Sequence, residues 1–111
     1  MPATEIIPQN LAPEGLEVTF ESANVDGNYF VNNGRMVLRV RNASASVRTV
    51  TCSAPGKCDQ GFNHPVAVLV EANEERDLGL FSSSRFNDEN GRVNITYSSV
   101  TGVTVAVIKT I

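Results

Sequence analysis

GRVNITYSSVTGVTVAVIKTI, residues 91–111, reads as a β-hairpin and sets the fold class. In its first arm Val93, Ile95 and Tyr97 alternate with Arg92, Asn94 and Thr96. In its second arm Val103, Val105 and Val107 alternate with Thr104, Ala106 and Ile108. Period-two alternation puts each set on its own face of a sheet. Residues 98–102 read as the loop, with Gly102 free to take a backbone angle closed to other residues. So short a loop predicts antiparallel pairing of the two arms. The first arm is apolar on one face and is expected to be half-buried. The second also carries Ala106 and Ile108 on its other face, so that face should touch something too. The rest of the chain must supply strands that cover the Val/Ile/Tyr face.

Upstream, short strands and turns follow one another. Residues 16–21 (LEVTFE) read as a strand with Leu16, Val18 and Phe20 on one face. Asp26-Gly27 and Asn33-Gly34 are strong turn dipeptides, and Asn28-Tyr29-Phe30-Val31 between them is a short strand or a plug of side chains. Residues 35–42 form a strand with Met36, Leu38 and Val40 inward and Arg35, Val37, Arg39 and Arg41 outward. Residues 46–52 form the next strand, where the Val47–Val50 spacing suggests a bulge. A loop over 53–64 leads to residues 65–71 (PVAVLVE), apolar enough to be buried on both faces or central in its sheet. Residues 72–77 read as a charged turn, 78–81 as a short strand or bend, and 82–90 as a loop anchored by Phe86. No window shows helical apolar spacing with a cap. The fold class is therefore all-β, an antiparallel β-sandwich of jelly-roll or immunoglobulin-like type.

Residues 1–15 read as an extended N-terminal arm, and 16–111 as the single β-sandwich domain. Pro2, Pro8 and Pro13 deny the arm regular hydrogen bonding. It either frays or orders in a groove of a neighbouring subunit or another protein, which would give Ile6, Ile7 and Leu11 a purpose. These three are candidate interface residues. The outward Ala106 and Ile108 are a second candidate patch, though Ile108 could equally sit under another strand.

Composition narrows the function. With 111 residues the chain is one domain, small enough that oligomerisation would help its stability. Its net charge is −3, from 9 basic and 12 acidic residues, so no nucleic-acid partner is expected. No apolar run approaches the ~20 residues of a membrane span, so no membrane partner is expected either. The N-terminus lacks the basic region and apolar stretch of a secretory signal, which points to synthesis in the cytoplasm. Cys52, Cys58 and His64 follow a Cys-x5-Cys-x5-His spacing that fits no common zinc site. The two cysteines either stay reduced or close a small loop. His64 precedes Pro65 and has no nucleophile signature near it, and Glu74-Glu75 and Asp88-Glu89 sit in charged turns. No catalytic residue, metal or cofactor is expected, and the chain does not read as an enzyme.

Three stretches carry a resemblance. They are DGNYFVNNGR (26–35) leading into Leu38-Arg39-Val40-Arg41-Asn42; Leu78-Gly79-Leu80-Phe81 followed by Phe86-Asn87-Asp88; and the closing Val93-Asn94-Ile95-Thr96-Tyr97-Ser98 with residues 100–107. In these the chain resembles the small head-decoration, or cement, proteins of tailed bacteriophage capsids. In that family the bend tends to read Gly-Pro-Phe, and here Leu80 stands where the proline would be. The resemblance implies a structural, non-enzymatic homo-oligomer made in the host cytoplasm and located on the virion. It would bind the major capsid protein at symmetry-related positions on the capsid surface and stiffen the shell, with a trimer favoured over a dimer. An apolar arm would grip a neighbour there, and many copies would multiply weak contacts. Deleting residues 1–14 is then expected to weaken capsid binding and leave the fold intact. The rival readings are a neck or tail protein and a carbohydrate-binding or adhesion module. The last would need two of Tyr29, Phe62 and Phe86 exposed side by side.

Overall fold

Alternating Val, Ile, Leu and Phe generate strands throughout the computed structural model, which describes residues 3–54, 65–79 and 81–110. The elements in order are β1 (Thr4–Glu5), β2 (Gln9–Asn10), β3 (Glu21–Ser22), β4 (Asn28–Val31), β5 (Met36–Asn42), β6 (Arg48–Cys52), β7 (Val66–Val70), β8 (Glu74–Leu78), α1 (Ser83–Phe86), β9 (Arg92–Tyr97) and β10 (Val103–Lys109). The chain is all-β with two mixed sheets. One sheet runs β1-β4-β9-β6-β7; the other runs β2-β10-β5-β8, with β3 also pairing on β10. The parallel pairs are β1 on β4 and β2 on β10.

The closing stretch is not a hairpin. β9 pairs with β4 and β6, whereas β10 pairs with β5, β2 and β3 in the other sheet. Both arms have an apolar face to bury. Placed in different sheets, Val93 and Ile95 join Val103, Val105 and Val107 in one shared core. The connecting loop bonds to its surroundings instead of bridging a two-stranded ladder. Ser98 N–H donates to Thr49 O at 2.9 Å, and Ala43 N–H donates to Gly102 O at 2.8 Å. Gly102 has φ +75°, and a Cβ there would lie 2.9 Å from the Ser44 backbone nitrogen. Only glycine fits that approach.

The antiparallel pairs nest instead around the β6–β7 connection. Cys52 faces Val66, Leu38 faces Leu78, Asn28 faces Ile95 and Ser22 faces Thr104. Met36, Leu38 and Val40 point inward as their spacing predicts, packed with Phe30, Val50, Val70, Val93 and Ile95.

Other expectations change. Residues 16–20 make no ladder, and strand pairing begins only at Glu21. The Gln9 side chain holds that segment instead: its amide donates to Thr19 O at 2.7 Å and accepts from Thr19 N–H at 2.9 Å. β6 has no bulge, since its register with β7 is continuous from Arg48↔Val70 to Cys52↔Val66 and Val47 lies before it. β7 is an edge strand with Ala67 and Leu69 exposed, not a strand buried on both faces. The charged 74–77 segment is most of an edge strand, and charge suits an edge because it discourages further pairing. A single helical turn occupies Ser83–Phe86 in the expected loop and buries Phe86 against Phe81, ring centroids 5.2 Å apart.

The residues read as an N-terminal arm are woven into the chain's own sheets. β1 lies on the edge of one sheet and β2 on the edge of the other, so the segment between them crosses from sheet to sheet. Ile6 N–H donates to Tyr29 O at 2.7 Å.

Two buried asparagines lock the strands, Asn42 from one sheet to the other and Asn28 within its own sheet. The Asn42 amide donates to Ser46 O and Val70 O at 2.8 and 3.0 Å, and its Oδ1 accepts from Ser44 N–H at 2.9 Å. Asn28 Oδ1 accepts from the Tyr97 hydroxyl at 2.7 Å, and Asn28 Nδ2 donates to Thr4 O at 3.1 Å.

Candidate protein interface

The five candidate interface residues divide by burial. Ile6 is 1 % exposed and belongs to the core, because the sheet-to-sheet crossing turns it inward. Its neighbour Ile7 points the other way and is 66 % exposed. Ile7 lines a shallow cleft of about 270 Å³ with Gln9, Thr19 and Phe20. Ala106 and Ile108 lie on the face of β10 turned away from the core, yet both are buried. Leu11 is exposed, its backbone held by an N–H···O bond to Lys109 at 3.0 Å.

Leu11 and Ile108 meet. They line a cleft of about 320 Å³ together with Leu16, Val18 and Val37. The structure thus brings together one residue from each predicted patch, but Ile6, Ala106 and Ile108 are all buried and only Ile7 and Leu11 stay exposed. Leu16, Val18 and Val37 are the members that spacing missed. A signal existed: Val37, Ala106 and Ile108 are three apolar residues on outward faces, and they need a cover. The 16–20 segment supplies it. Leu16 and Val18 do alternate, but they lie over the outer face of the sheet and form no strand of it.

Ion pairs border this face. Arg39 Nε and one terminal nitrogen bind the two Asp77 carboxylate oxygens at 2.8 and 3.2 Å. That hydrogen bonding raises the Arg39 pKa above its ordinary value, against the opposing effect of partial burial. Arg41 Nε donates to Glu75 Oε1 at 2.9 Å, and the guanidinium covers the Phe20 ring at 4.1 Å. The arginine row of β5 is therefore matched by the carboxylates of β8 and presents no unbroken cationic stripe.

Aromatic side chains do not gather on the surface among the described residues. Phe86 is buried, and Tyr29 is half-buried with the Arg92 guanidinium 4.5 Å from its ring centroid. Phe62 lies outside the described residues, as do Cys58 and His64. Cys52 is a free, buried thiol whose pKa burial pushes up to about 12. It is not a reactive thiolate at neutral pH. Among the described residues no three His, Cys, Asp or Glu side chains gather as a metal site.

Fold and site together define an all-β protein of two mixed sheets with an apolar cleft beside a band of matched charges. Compared with known proteins, the chain matches no family model, no curated protein and no solved structure.

Proposed function

We propose that the chain is a structural virion protein that binds the outside of a tailed-phage capsid and stabilises it, as a jelly-roll β-sandwich without catalytic activity. The observation that carries this reading is the strand order. Setting aside the two N-terminal pieces, the sheets run β3-β10-β5-β8 and β4-β9-β6-β7. The pairs β3·β10, β4·β9, β5·β8 and β6·β7 are all antiparallel. That order arises when one long hairpin rolls into two packed sheets, which is the jelly roll of viral capsid and lectin domains. An immunoglobulin-like order would keep the last two strands together in one sheet; here they separate. Fold supports the class of protein by analogy only. The Leu11–Ile108 cleft offers the physical contact, a small apolar groove that a capsid segment would fill. The sequence resemblance supports the same partner.

Co-sedimentation with shells of the major capsid protein encoded in the same genome tests the proposal. The full chain should pellet with shells at a saturable ratio. Leu11→Asp, exposed and outside the core, should weaken that binding at least tenfold and leave the melting temperature unchanged. A chain that stays in the supernatant overturns the reading. Equal binding by Leu11→Asp overturns the cleft as the contact.

A further inference from the structure

The edges of the two sheets are defended unequally. β1, β2 and β3 are two residues each, too short to template a new strand. β8 carries Glu74, Glu75, Arg76 and Asp77. β7 has neither protection. It spans Val66–Val70, VAVLV, without a single ionisable group, and among the described residues it pairs only with β6. Both of its faces are also incomplete. On the outer face Leu69 is 58 % exposed. On the inner face Val66 and Val68 reach the core but remain half-buried, beside an open cleft of about 350 Å³ that they line with Leu78, Phe81 and Phe86.

We propose that β7 is the self-association surface of this protein, pairing antiparallel with β7 of a second copy about a two-fold axis at Val68. The sequence complements itself in that register. Val68 meets Val68 of the second copy, Val66 meets Val70, and Leu69 meets Ala67, a large side chain against a small one. The nearest charge, Glu71, falls opposite Pro65 and not opposite its own copy, so no like charges meet. On the outer face Thr49 and Thr51, the β6 partners of Leu69 and Ala67, flank the joined strip. On the inner face the half-buried valines gain cover. An isologous contact of this kind closes as a dimer. It does not depend on a capsid partner, and it leaves the Leu11–Ile108 cleft free.

Sedimentation velocity on the full chain across a concentration range, with Leu69→Lys alongside, is the first test. Wild type should pass from 11.9 kDa to twice that mass. Leu69→Lys should raise the dissociation constant at least tenfold, with an unchanged circular dichroism spectrum. Capture gives a second test that does not need the lysine variant to fold. In a Cys58→Ser background, Val68→Cys should form a covalent dimer on mild oxidation, because directly opposed Cβ atoms lie about 5 Å apart. Ala45→Cys, exposed in the β5–β6 turn and off the paired edge, should not. A chain that stays monomeric to about 1 mM, a range that detects even millimolar affinity, overturns the proposal. So does a dimer that Leu69→Lys leaves intact and Val68→Cys fails to capture.

Discussion

At the scale of single residues, the polar side chains fix geometry that the apolar pattern leaves open. Asn42 is fully buried and bonds to the β6 entry and the end of β7 at once. Asn42→Ala strands those carbonyls and should cost about 2–3 kcal/mol in chemical denaturation. Gly102→Ala forces a side chain onto the Ser44 backbone at φ +75° and should cost about 1–3 kcal/mol by the same measurement. Asp88 sets a pH dependence. Burial alone would raise its pKa, but hydrogen bonds from the Asn94 side chain and the Arg92 and Asn90 amides outweigh that and hold it below the ordinary 3.8. A depressed carboxylate pKa gives stability that is present above the unfolded value and lost as pH falls through the folded one. The stability gap between wild type and Asp88→Asn should therefore be constant from pH 7 to about pH 5 and close below about pH 4, read by urea midpoints at each pH. A gap that persists undiminished in acid would contradict that role.

At the scale of elements, the sequence specifies faces better than partners. Met36, Leu38, Val40, Val93, Ile95, Val103, Val105 and Val107 all point inward as their alternation requires, because burial and period two act within one strand. Which strand lies alongside is a non-local choice. The short 98–102 loop reads as a hairpin turn, yet the same loop serves a crossing between sheets when both arms have an apolar face to share. Charge misled in the same way. Residues 74–77 look like a turn because strands seldom carry four consecutive charges, but Arg39 and Arg41 on β5 supply the counter-charges across the ladder. Of the interface, Leu11 and Ile108 were legible as apolar residues without an assigned core; Leu16 and Val18 were not, since a covering segment and a strand share the same alternation. The N-terminal segment shows the largest change. Ile6 closes the core, so Ile6→Ala should cost about 2–5 kcal/mol, whereas Ile7→Ala, on the exposed side, should stay within about 0.5 kcal/mol. Removing residues 1–14 deletes β1, β2 and Ile6 together and should lower the melting temperature, contrary to the expectation of an independent arm. Equal losses for Ile6→Ala and Ile7→Ala would show that the segment does not pack this way.

At the scale of the whole molecule, the two proposals assign two different surfaces to two different partners. The cleft of Leu11 and Ile108 is proposed for the shell, and the bare β7 edge for a second copy. Weak contacts suffice in such a role, because a lattice of symmetric copies multiplies them. The described surface ion pairs, Arg39–Asp77, Arg41–Glu75 and Arg76–Glu74, are worth only about 0–1 kcal/mol each, so the apolar clefts are the stronger source of contact energy. The most direct test of the capsid role is the number of copies of this chain per purified virion, made by the genome that encodes it and measured by quantitative mass spectrometry against the major capsid protein. A decoration protein should be present in hundreds of copies, in fixed ratio to the capsid subunit. A handful of copies would place the chain at the neck or tail, and none would contradict a virion role altogether.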